Sequence, residues 1–78
     1  MYLEFKLPTG AGGMAAHHYN NKLRNRIQAW ANQHNVKIRS WSKGYRSCYE
    51  FDRASDYTLF ALSWQATNIW DEYSIVND

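Results

Sequence analysis

One cysteine, one proline and no apolar run of membrane-spanning length are the first constraints set by this 78-residue chain. Cys48 alone cannot close an intramolecular disulfide, and it leaves no cysteine cluster for a structural zinc site. The fold must therefore rest on apolar burial. Material for that is present: 45% of the residues are hydrophobic and 17% aromatic, and large rings supply the most buried area per residue in a small domain. Residues 1–78 are expected to form a single domain, because two cores would each be too small to hold without staples. The opening Met1-Tyr2-Leu3-Glu4-Phe5 has neither the basic n-region nor the apolar h-region of a signal peptide. A cytoplasmic protein with no membrane partner is expected.

Acids are missing from residues 5–49, which hold eight bases: Lys6, Lys22, Arg24, Arg26, Lys37, Arg39, Lys43 and Arg46. Residues 50–78 reverse the balance, with six acids (Glu50, Asp52, Asp56, Asp71, Glu72, Asp78) against Arg53 alone. Together with Glu4 these give the net charge of +2. Such asymmetry points to an anionic partner for the first part, or to a partner complementary to both. Alternatively, the two parts meet in the fold and neutralise each other.

Tyr2 to Leu7 alternates with the period of a half-buried strand, Leu3, Phe5 and Leu7 facing one way, and Pro8 ends it. After a flexible connection containing Gly10, Gly12 and Gly13, Met14 to His34 reads as a long amphipathic helix. Its apolar stripe is Ala16, Tyr19, Leu23, Ile27, Trp30 and Ala31, and Asn35 suits a left-handed cap. Val36 to Trp41 and Tyr45 to Phe51 read as a hairpin. A two-residue turn at Lys43-Gly44 would set Ile38 against Tyr49 and Val36 against Phe51 on the apolar face. On the other face it sets Lys37 against Glu50, Arg39 against Cys48 and Trp41 against Arg46, the last a cation–π pair.

Ser55 is the expected N-cap of a second helix over 56–66, with Asp56 in its first turn. Its apolar residues divide into two sides, Tyr57, Phe60 and Trp64 on one and Leu59, Leu62 and Ala66 on the other. Whichever of the pairs Leu59, Leu62 and Phe60, Trp64 the sheet leaves uncovered is expected to meet a second copy or another partner. Tyr73 to Val76 can add a final strand. The order β-α-β-β-α(-β) defines an α+β, two-layer, ferredoxin-like sandwich: an antiparallel sheet with both helices on one face. The other face is then open and carries Tyr2, Lys6, Lys37, Arg39, Trp41 and Arg46.

No motif makes a positive case for an enzyme. His17 and His18 are adjacent and diverge on a helix, so they cannot share a metal. His34 reads as a satisfied histidine on the helix stripe, Cys48 as a lone thiol, and Asp71-Glu72 as a solvated charge pair. Gly10-Ala-Gly-Gly-Met-Ala15 fits the loose pattern of an anion-holding turn at Gly10, Gly12 and Gly13. A dinucleotide site would also need a doubly wound parallel sheet and an acid where this chain has Arg39 and Trp41. No cofactor or metal is implied. Lys43-Gly-Tyr-Arg-Ser-Cys-Tyr-Glu-Phe51 begins like the aromatic segment of RNA-recognition motifs, but Ser47 stands where a stacking ring is needed. What survives is a partner-binding face of Lys37, Arg39, Trp41, Lys43 and Arg46, usable for docking on protein or for stacking bases of RNA or single-stranded DNA.

The segments Leu7-Pro-Thr-Gly-Ala-Gly-Gly-Met-Ala-Ala16, Tyr49-Glu-Phe-Asp52 and Asp56-Tyr-Thr-Leu-Phe-Ala-Leu-Ser-Trp64 resemble small accessory proteins of tailed phages. That resemblance implies a non-enzymatic inhibitor that occludes a surface of a host or defence complex in the host cytoplasm, as anti-CRISPR proteins do. It transfers no functional residue, because no shared site motif accompanies it.

Overall fold

The computed structural model describes residues 1–6, 12–44, 46–66 and 71–77, with only the backbone described over 12–16. Six elements follow in the order β1 (Tyr2–Lys6), α1 (Gly12–His34), β2 (Ile38–Lys43), β3 (Arg46–Phe51), α2 (Ala54–Ser63) and β4 (Tyr73–Val76). The four strands form one antiparallel sheet in the order β2-β3-β1-β4. This is the two-layer ferredoxin-like arrangement, with both helices against one face.

Alternation in β1 makes that packing possible. Leu3 and Phe5 are fully buried, alternating with half-buried Tyr2 and Glu4 and exposed Lys6, and Leu3 pairs with Tyr49 and Phe5 with Ser47 across the sheet. From above, α1 inserts Leu23, Ile27, Trp30 and Ala31, while α2 inserts Tyr57 and Phe60. The core is largely aromatic. The Phe60 ring meets Trp30 edge-on at 4.9 Å and stacks on Trp64, also at 4.9 Å. Trp30 also closes the helix pair through a polar contact, its Nε1–H donating to Ser63 Oγ at 2.7 Å. A helix of 23 residues is about 34 Å long at about 1.5 Å per residue, so α1 outruns strands of five or six residues.

Asn35 ends α1 in the left-handed conformation, with φ of 56°. The Val36 N–H then reaches the Ala31 carbonyl at 2.8 Å and the Asn35 N–H the Asn32 carbonyl at 3.4 Å, a Schellman closure. Val36 and Ala31 are both buried, which supplies the apolar contact that accompanies this cap. Val36 is therefore committed to the helix end, and β2 starts at Ile38.

The hairpin register differs from the sequence expectation by two residues. Lys43 pairs with Arg46, so the turn starts after Lys43, with Gly44 at φ of 61°. Positive φ at the first loop position matches the twist of a two-residue hairpin, and glycine takes it without strain. Ile38 consequently lies opposite Phe51, Arg39 opposite Glu50 and Trp41 opposite Cys48. The shift is even, so every side chain keeps its expected face while changing its partner.

Helix α2 starts before the expected cap. Arg53 occupies the N-cap without a side-chain cap bond, and Ser55 falls inside the first turn. Asp56 in that turn is buried, with Arg53 Nε 3.7 Å away. The helix stops at Ser63, where Trp64 turns to extended backbone while its N–H still bonds to the Phe60 carbonyl at 2.8 Å.

Candidate docking face on the open sheet

Tyr2, Glu4 and Lys6 of β1, Arg39, Trp41 and Lys43 of β2, Arg46, Cys48 and Glu50 of β3, and Ser74 of β4 share the sheet face opposite the helices by register. Near its centre Tyr2 and Trp41 meet edge-on at 5.3 Å, and Trp41 is 39% exposed. Such a ring is held in place yet available.

Opposite charges are largely joined on this face. Arg39 reaches Glu50 at 2.8 Å and Asp52 at 3.6 Å, and Arg46 gives one amino group to Glu4 at 2.9 Å. Here the basic part of the chain meets acids, as the neutralisation reading expects. The expected Lys37–Glu50 pair and the Trp41–Arg46 cation–π pair are replaced, because the register gives Glu50 to Arg39 and Glu4 draws Arg46 toward β1. Lys37 precedes β2 and lines a basin with Asn35, Asp52, Arg53 and Asp56 at the end of the domain. The expected set of five thus divides: Arg39, Trp41, Lys43 and Arg46 come together, and Lys37 stands apart.

Cys48 belongs to the open face by register yet has no exposed surface, flanked by Trp41 and Glu4 on its neighbouring strands. Burial pushes its thiol pKa up, and the Glu4 carboxylate adds to the shift. A protonated, covered thiol is a poor nucleophile. His34 is half-buried with its ring 5.1 Å from Trp30, and exposed His17 lies 3.4 Å from Asn21. Among the described residues no three His, Cys, Asp or Glu side chains are grouped to hold a metal ion.

The anion-turn and partner-surface expectations change in specific ways. Gly10 lies outside the described residues, and Gly12 and Gly13 are the first residues of α1 rather than a loop before it. Phe60 of α2 is fully buried, and Trp64, just past the helix end, is half-buried against the core, so theirs is the covered side. Leu59 is half-buried and Leu62 is 83% exposed, so the uncovered side is the Leu62 side.

Asp71 is the residue that the sequence reading misplaced most. It is fully buried, not solvated: Arg26 reaches its Oδ2 at 2.9 Å and the Tyr19 hydroxyl donates to its Oδ1. Trp64 Nε1–H donates to the Asp71 carbonyl at 3.1 Å, and the Arg26 guanidinium lies 4.5 Å from the Trp64 ring centroid. The only sequence signal for this cluster is that Tyr19 and Arg26 lie two turns apart on one side of α1.

No protein-family model, curated protein or solved structure matches this chain. No helix among the described residues is long and apolar enough to cross a membrane.

Proposed function

We propose that this is a small non-enzymatic binding protein that uses its open sheet face to occlude a surface of another protein. A host or defence complex is the target that the phage-protein resemblance suggests. The observation that carries this reading is the Tyr2–Trp41 pair: an oriented, partly exposed tryptophan at the centre of a uncovered sheet face with both signs of charge around it. Such a ring is suited to act as an interface anchor. Binding of single-stranded nucleic acid by the same face is the runner-up. It is weakened because Arg39 and Arg46 already hold Glu50, Asp52 and Glu4, which lowers the positive potential available to a polyanion. Nucleotide binding at Gly10, Gly12 and Gly13 ranks third.

Capture from a bacterial lysate by the tagged protein tests the assignment. Nuclease-resistant capture that is lost in Trp41→Ala supports protein docking. Nuclease-sensitive capture transfers the face to the nucleic-acid reading, and capture indifferent to Trp41 removes the face from the mechanism.

A further inference from the structure

At one end of the open face the register aligns three bases in a single cross-strand row: Lys43 is opposite Arg46, and Arg46 is opposite Lys6. Like charges directly opposite one another destabilise a sheet. Among the described residues only Arg46 of the three has an acid partner, Glu4. The row across Arg39 and Glu50 shows the contrasting arrangement, with opposite charges 2.8 Å apart. The fold thus leaves two of the three bases, Lys6 and Lys43, without an acid partner among the described residues, while Arg39 and Arg46 are neutralised on the same face.

We propose that Lys6, Arg46 and Lys43 form an acid-reading row that docks an extended, acidic segment of a partner protein, with Trp41 as the apolar anchor beside it. This rests on the reading of the open face as a protein-docking surface, and it names the partner's chemistry. Three neighbouring strands about 4.8 Å apart make the row about 10 Å wide, and same-side residues of an extended chain repeat about every 7 Å. Two alternating carboxylates can therefore lie along the row. Trp41 is two residues from Lys43 on the same strand and face, placing an apolar contact next to the charges.

The surroundings favour a short acidic segment over a long polyanion. Lys6 and Arg46 border a basin of about 400 Å³ that Glu4 and Glu72 also line. Glu50 and Asp52 lie beside Arg39. A nucleic-acid backbone extended beyond the row would run onto these carboxylates, whereas a few side-chain acids need not reach them.

Fluorescence anisotropy with two labelled probes of equal charge tests the proposal: a hexapeptide alternating glutamate with tyrosine, and a thymidine tetranucleotide. The peptide should bind more tightly. Lys6→Gln combined with Lys43→Gln should weaken it about tenfold, whereas Lys22→Gln on the exposed side of α1 should leave it within about twofold. An equal loss in Lys22→Gln, equal or tighter binding of the tetranucleotide, or no peptide binding overturns the proposal. The same double variant in the lysate experiment separates the two levels. Nuclease-resistant capture that needs Trp41 but not Lys6 or Lys43 keeps the docking face and removes its acidic partner. Capture that needs none of them removes both.

Discussion

The guanidinium of Arg26 on α1 stands 2.9 Å from the carboxylate of Asp71, which is fully buried, although Arg26 itself is 39% exposed. The Tyr19 hydroxyl shares that carboxylate, and Trp64 binds both the Arg26 face and the Asp71 backbone. The contacts tie the residue two positions before β4 to the middle of α1. Removing Arg26 takes a countercharge away from a buried carboxylate, whereas surface ion pairs are worth little. Arg26→Met should cost roughly 2–4 kcal/mol in urea unfolding, between those limits. A loss below about 0.5 kcal/mol would make the contact an ordinary surface pair.

The two sides of the helices should respond very differently to truncation. Ile27 has no exposed surface, and Ile27→Ala should cost roughly 2–5 kcal/mol. On α2, Phe60→Ala should cost roughly 3–5 kcal/mol, while Leu62→Ala should stay within about 0.5 kcal/mol. Denaturant midpoints measure all three, and comparable losses at Phe60 and Leu62 would invert the assigned face of α2.

Alkaline pH should remove stability steeply. The Tyr19 hydroxyl pKa is raised well above its ordinary value of 10.0, first by burial and then by its bond to Asp71. Burial also raises Tyr49, Tyr57 and Tyr73. These phenols release protons more readily from the unfolded chain than from the folded one. Their contribution is complete below the unfolded value near 10 and is lost as pH rises toward the folded values. Tyrosinate absorbance should therefore rise together with loss of the near-ultraviolet dichroism, and ionisation of these four with the fold intact would contradict their burial.

Lys43→Gln should stabilise the fold by roughly 0.2–1 kcal/mol, because it relieves the repulsion across the row with Arg46. The same substitution should weaken acidic-peptide binding. Thermal unfolding beside anisotropy checks both signs, and loss of both stability and binding would mean that Lys43 serves the fold.

Local patterns carried most of the fold. The stripe of Leu23, Ile27 and Trp30 and the αL position of Asn35 follow from spacing and residue type, and both hold in the structure. Partners across the hairpin were harder, because Lys43-Gly44 and Gly44-Tyr45 are both plausible two-residue loops that give the same faces. The face of Trp41 was legible, while its neighbour Tyr2 on β1 depended on strand order. Asp71 was not legible: beside Glu72 it resembles a solvated pair, and the base and hydroxyl that bury it come from distant α1. Lys6 was placed on the right face but not joined to Lys43 and Arg46, because only the paired register brings the three into line.

The sheet order β2-β3-β1-β4 has a consequence for the chain as it is made. Its earliest strand, Tyr2–Lys6, lies between Arg46–Phe51 and Tyr73–Val76, so neither edge of that strand can be satisfied by what immediately follows it. During synthesis α1 can form through local contacts, and the β2-β3 hairpin soon after. The first strand must wait for both, and its second edge is closed only by the last strand. A ribosome stalled before Tyr73 would therefore carry a nascent chain whose first strand has one edge left open, a template for association with another chain until synthesis resumes.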